Sequence, residues 1–198
     1  MSPFELVFAV YGMLLGLAIA GVLSGFSRTL KLKRGTKPIR VGWLTPLLGI
    51  LVMLDLTNFW LIAWETRDQI AANYLTLVGV LTIVGIYYLA ATLIFPDEPE
   101  DWPDFDDWYD KQKCLVIGGL LAANAGTWIG SIALQIAKPA PGAERAMTDS
   151  KLMVVWAGLG GLALLVALLK IRSRRWNRVL LVAVSTLLLV FGIVETFV

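Results

Sequence analysis

The run VGWLTPLLGILVMLDLTNFWLIAW, residues 41–64, decides the fold. It is long enough to cross a bilayer, because a transmembrane helix needs about 20 predominantly apolar residues. The middle of the run falls near residue 54, so we expect Asp55 to lie near the midplane of the hydrocarbon core. A carboxylate at that depth is costly unless it is protonated, paired or hydrated, and Asp55 is therefore a candidate functional residue.

The rest of the chain repeats this apolar pattern. Of its 198 residues, 58% are hydrophobic even before the 18 glycines are counted, whereas soluble domains average about 45–50% with glycine included. The excess is concentrated in six blocks separated by short charged segments, which predicts an all-α, polytopic integral membrane protein with a single domain, residues 1–198. The six predicted transmembrane helices span residues 4–26, 41–64, 72–95, 114–137, 152–169 and 179–198.

The basic residues predict the orientation of these spans. The loop Ser27–Arg40 has six positive charges and no acid, and the loop Lys170–Arg178 has five and no acid. Loops rich in Lys and Arg stay on the cytoplasmic side, so we expect both termini outside (N-out/C-out) and a location in the inner (plasma) membrane of a bacterial cell. Four charges of the first loop also suit anionic lipid head groups, although topology alone accounts for them: Arg28, Lys31, Lys33 and Arg34.

The segment Pro96–Lys113, between spans three and four, is strongly acidic, with eight Asp or Glu against two Lys. Its aromatic residues follow a helical spacing, which predicts a short acidic amphipathic helix that lies at the inner interface and runs into span four. Three interpretations remain open: the segment binds a cation, it docks on the two basic loops, or it docks a partner protein. A calcium-loop pattern is absent, so we predict no metal site. The candidate docking residues are Trp102, Asp104, Phe105, Asp106, Asp107 and Trp108.

Polar residues at mid-depth form the candidate ion or proton site. Asp55 and Asn58 are three residues apart and share a helix face, and Asn124 lies at a similar depth on span four. A carboxyl and two carboxamides suit a proton or a monovalent cation. The same three side chains could instead be interhelical hydrogen-bond partners, worth about 1 kcal/mol per bond. Tyr87 and Tyr88 are either interface aromatics or hydroxyl partners for other helices.

Three glutamates map to the outer ends of spans: Glu5, Glu65 and Glu195. Together they would form an outer vestibule that concentrates cations in front of a pathway. Separately, they are ordinary residues at helix ends, hydrated by the interface. The sequence leaves both interpretations open.

Catalysis is not predicted. The chain has no histidine and one cysteine, and only one carboxylate lies at mid-depth, which leaves no histidine base and no aspartyl pair. Phosphate-loop and dinucleotide fingerprints are absent as well. We therefore expect no enzyme activity, no cofactor and no nucleic-acid partner.

Two function classes remain. The first is a small membrane channel or transporter-like protein for protons or a monovalent cation, which uses the mid-membrane Asp/Asn cluster. The second is a non-catalytic accessory or scaffold subunit of a larger membrane complex. In either case we expect the partners to be the lipid bilayer and further copies of this chain or other membrane subunits. The sparse polar lining of the spans argues against the first class, because a water-filled path needs polar walls.

Overall fold

The computed structural model describes residues 3–34, 40–67, 69–70, 73–137 and 149–197. Within these ranges the chain is helical and contains no β-strand, which confirms the predicted all-α class. The helices are α1 (Pro3–Lys33), α2 (Leu44–Glu65), α3 (Tyr74–Thr92), α4 (Phe105–Ala137), α5 (Asp149–Lys170) and α6 (Arg174–Phe197), with a short 3₁₀ turn at Pro99–Asp101.

Five of these helices are long and apolar enough to cross a membrane, namely α1, α2, α3, α4 and α6. In α5 the described apolar stretch is shorter, Val155–Lys170. The five long helices indicate a membrane location. The count of six spans stays a prediction.

Helix α2 lies at the centre of the bundle, where it contacts α1, α3, α4 and α6. Around it, α3 packs on α1 and α4, and α5 packs on α4 and α6. Such a position suits a helix that is apolar around most of its circumference, because every side can be buried. Asp55 is consequently enclosed by other helices, with only 4% of its surface exposed.

Helix α4 begins earlier than the predicted span. Asp104 Oδ1 accepts the backbone N–H of Asp106 at 2.8 Å, which is the hydrogen bond of an N-cap. Nothing interrupts the helix between this cap and Ala137. The residues of the predicted amphipathic helix from Phe105 onward form the first turns of α4, and the position of this helix at a membrane interface stays a prediction.

The start of α2 is held by α4. The Leu44 N–H donates to Asp106 Oδ1 at 3.3 Å, and the Thr45 hydroxyl donates to the Phe105 carbonyl at 2.9 Å. A Cβ at Gly42 would collide with the Asp106 carboxylate, so only glycine fits there without displacing it. These contacts fix α2 against α4 along the bundle, and with it the relative depth of their polar residues.

Candidate functional site

The site is built around the carboxyl group of Asp55. The Tyr87 hydroxyl donates to Asp55 Oδ2 at 3.0 Å, and Asn124 Nδ2 donates to the same oxygen at 2.8 Å. Asn124 Nδ2 also lies 2.9 Å from the Leu120 carbonyl of its own helix. One carboxyl oxygen therefore joins α2 to both α3 and α4. The structure brings together Asp55 and Asn124, which the sequence pointed to, and adds Tyr87.

Tyr87 is absent from the predicted site because a tyrosine in an apolar helix suits an interface equally well. In the structure its side chain is 1% exposed and its ring packs on Phe59, with 5.4 Å between the centroids. The neighbouring Tyr88 is 36% exposed. The rotation of α3 decides which of the two hydroxyls meets Asp55, and the sequence contains no information about that rotation.

A cavity of about 480 Å³ lies beside Asp55 between α2, α4, α5 and α6. Its wall from α5 and α6 is mainly apolar, whereas polar residues of α2 and α4 line the other side. We call this second wall the polar path, and its residues are Asp55, Asn58, Glu65, Thr66, Asn124, Thr127, Ser131 and Gln135.

The polar path follows one face of each helix. On α4 its residues recur at steps of three or four, which places them in a row along the helix. On α2 it runs from Asp55 to Glu65, about 15 Å at a rise of 1.5 Å per residue. The path therefore connects Asp55, in the middle of α2, with the end of the bundle opposite the basic loops.

The path stops at Asp55. Leu51, Leu120 and Leu165 line the cavity and are 1%, 0% and 5% exposed. Leu48 and Leu44 follow one and two turns further along α2, and both are also buried. Apolar packing thus separates Asp55 from the end of the bundle that carries the basic loops, which we call the basic end. The cavity therefore approaches the carboxyl only from the other end of the bundle.

The three predicted vestibule acids have different positions. Glu65, the last residue of α2, lines the cavity. Glu5 is exposed in the first turn of α1 and is not among the residues described as lining the cavity. Glu195 falls in α6, but its side chain lies outside the described part of the structure. The structure thus brings one of the three to the mouth of the path.

The acidic segment contacts both basic loops at the end of the bundle that lies opposite the mouth of the polar path. Arg174 lies between two carboxylates, with Nη2 2.5 Å from Asp107 Oδ1 and Nε 2.7 Å from Asp110 Oδ2. On the other side, Arg40 Nη1 lies 3.9 Å from Asp104 Oδ2. Residues 35–39 of the first basic loop lie outside the described ranges.

The aromatic residues of this segment pack beneath the acids. Phe105 is fully buried, and the half-buried Trp108 donates its indole N–H to the Ile94 carbonyl at 3.0 Å. The Trp102 ring contacts Trp108 with 4.9 Å between centroids, and the Lys111 ammonium lies 4.9 Å from the Trp102 ring. The segment is therefore anchored to the chain that leaves α3.

The four residues predicted to meet anionic lipid lie at the end of α1 and directly after it. Arg28 Nη1 donates to the Asp97 carbonyl at 3.3 Å. Lys31 and Arg34 line a groove of about 390 Å³ on α1, and the Lys33 side chain is exposed. This arrangement keeps positive charge at the basic end of the bundle.

Among the described residues no group of three or more His, Cys, Asp or Glu is placed to hold a metal ion. Comparison of the chain with protein-family models, curated proteins and solved structures finds no match.

Proposed function

We propose that the protein is a transporter-like integral membrane protein for protons or a monovalent cation, and that Asp55 binds the transported charge. The observation that supports this most strongly is the polar path, which leads from one end of the bundle to a buried carboxyl. Transport sites commonly lie near the membrane midplane and are reached from one side at a time. A residue that served only to join helices would not need a cavity beside it.

The proposed topology has six spans. α5 has 22 residues, about 33 Å of helix at 1.5 Å per residue, which is enough to cross a bilayer. With the basic loops inside, the N- and C-termini lie outside, and the mouth of the polar path opens to the outside. A bacterial inner membrane suits this arrangement, and the acidic segment lies at its inner surface.

The charge of the cavity wall favours a positive ion. Asp55 and Glu65 are the two acids among the described residues that line it, and these lining residues include no Lys or Arg. The charges of the described lining residues therefore favour a cation over an anion at Asp55. The buried leucines below Asp55 favour a transporter, which opens to one side of the membrane at a time. They argue against a channel that is open at both ends.

The second candidate, an accessory or scaffold subunit, would hold partner proteins through its aromatic faces and the acidic segment. Asp107 and Asp110 pair with Arg174, and Asp106 accepts the first N–H of α2. These three acids are engaged within the chain, which leaves less of the segment for a partner. We therefore rank this candidate second.

The test is proton and cation flux in liposomes that contain the purified protein, compared between the wild type and Asp55→Asn. The carboxamide oxygen of the substituted side chain accepts the same two hydrogen bonds, so folding should be kept, whereas the amide cannot ionise. We expect flux in the wild type and none above protein-free liposomes in Asp55→Asn. Asp101→Asn, which removes an exposed acid, is the matched control and should keep the flux. Equal flux in the wild type and Asp55→Asn would remove Asp55 from the site, and no flux in either would favour the accessory subunit.

A further inference from the structure

The cavity beside Asp55 is larger than a proton or a metal ion requires. Its volume of about 480 Å³ compares with about 30 Å³ for one water molecule in the liquid. Small-molecule sites in proteins usually measure about 300–1,000 Å³. The size therefore fits an organic molecule.

The two walls of the cavity differ in chemistry. The polar path forms one wall, and the facing wall carries Val155, Leu162, Leu187 and Phe191 of α5 and α6. Water alone would satisfy the polar wall and leave the apolar wall wetted, which is unfavourable. A molecule with an apolar body and a polar or charged end satisfies both walls at once.

The deep end of the cavity suits a weakly hydrated cation. An inorganic ion must exchange its water shell for several oxygen ligands. Among the described lining residues at this depth, Asp55 supplies the one carboxylate, whose Oδ2 already accepts two hydrogen bonds, and the other side-chain oxygens belong to neutral groups such as the carboxamides of Asn58 and Asn124. An organic ammonium ion needs one counter-ion and gains from aromatic faces. Trp128 is an aromatic residue of the cavity wall, and its indole ring lies against Gly158.

We propose that the cavity binds an organic ammonium ion with an apolar body and that Asp55 is its counter-ion. This inference rests on the proposed function and names the class of the transported cation. The Asp55 carboxyl then holds either a proton or the ammonium ion. When the ammonium ion arrives, the O–H bond of the carboxyl breaks, the proton leaves to water in the cavity, and the carboxylate pairs with the ammonium charge.

The first test is calorimetric titration of the purified protein in detergent with benzyltrimethylammonium, and separately with sodium. We expect saturable binding of benzyltrimethylammonium to the wild type and no displacement by sodium. Asp55→Asn should weaken this binding by about 30-fold or more, because it removes one partner of a buried charge pair. Asp101→Asn should bind like the wild type.

A second pair of variants tests the cavity without touching the carboxyl. Gly161 lines the cavity, and a Cβ there would meet only Leu187 Cδ2, at 3.8 Å, so Gly161→Leu has room to fill the space. Its neighbour Gly160 is not among the described lining residues, and a Cβ there meets nothing within 4 Å. We expect Gly161→Leu to lose benzyltrimethylammonium binding and Gly160→Leu to keep it.

The outcomes separate this inference from the proposed function. Three results would overturn the organic-cation site: absent or unsaturable binding in the wild type, undiminished binding in Gly161→Leu, or displacement of the bound benzyltrimethylammonium by sodium. In each case, flux that depends on Asp55 would leave the proposed function standing. Binding that Asp55→Asn and Gly161→Leu both abolish, without any flux, would support the site and reject transport. If Asp55→Asn does not fold, the comparison of Gly161→Leu with Gly160→Leu decides whether the cavity binds the organic cation.

Discussion

The hydrogen bond between Tyr87 and Asp55 offers a direct measure of how α3 is joined to α2. The two oxygens are 3.0 Å apart, and the Tyr87 and Asp55 residues are 1% and 4% exposed. Tyr87→Phe removes the hydroxyl and leaves the ring contact with Phe59 in place. The perturbation is therefore confined to one buried donor.

The expected loss in the free energy of unfolding is about 1 kcal/mol. Side-chain hydrogen bonds between membrane helices average about 0.6 kcal/mol and reach about 1.7 kcal/mol. The Tyr87 bond should lie in the middle of that range, because both groups are buried but Asp55 Oδ2 keeps its second donor, Asn124. Tyr88→Phe is the matched control. Its side chain is 36% exposed, so its loss should stay below about 0.5 kcal/mol.

The assay is reversible unfolding in mixed micelles with increasing dodecyl sulfate, followed by circular dichroism. The quantity compared is the free energy of unfolding of each variant against the wild type. Equal stability of Tyr87→Phe and the wild type, or a larger loss for Tyr88→Phe, would refute the assignment of Tyr87 as the donor to Asp55.

Two further predictions concern the basic end of the bundle. Arg174→Gln should lower the free energy of unfolding by about 1 kcal/mol at low salt and by less at high salt, because the two ion pairs of Arg174 are partly exposed. Thermal unfolding at two salt concentrations checks this difference. A loss that does not depend on salt would contradict the prediction. Gly42→Ala should lower the free energy of unfolding by about 1–2 kcal/mol, because the Cβ of the new alanine displaces the Asp106 carboxylate from the start of α2. Gly160→Ala, where a Cβ meets no atom within 4 Å, should lower the free energy of unfolding far less in the same measurement. Equal losses would argue against the contact between Asp106 and the start of α2.

The helices could largely be predicted from the sequence, because length and hydropathy report directly on a bilayer. The run 41–64 corresponds to α2, Leu44–Glu65, with a small shift at its start. The predicted spans differ more from the helices where a helix continues into polar sequence. α1 extends to Lys33 and α4 begins at Phe105, since charged residues are compatible with a helix and mark only where it leaves the apolar layer.

The site could be predicted in part. Asp55 and Asn124 stand out in the sequence because polar groups at mid-depth are rare. The sequence alone does not predict the polar path, although Thr127, Ser131 and Gln135 follow Asn124 at helical spacing and provide a signal on α4. Whether that face meets the polar face of α2 depends on helix rotation and pairing, which no single-helix pattern contains.

Water access to the polar path tests the central claim most directly. In a Cys114→Ala background, Thr127→Cys places a thiol in the path one turn from Asn124, and Ala125→Cys places one at similar depth on an exposed position outside the described cavity lining. We expect a membrane-impermeant, water-soluble methanethiosulfonate reagent, added from the outer face, to modify Thr127→Cys and to leave Ala125→Cys unreacted in the lipid. Protection of Thr127→Cys from the outer face, or equal modification of both thiols, would contradict a wetted path to Asp55.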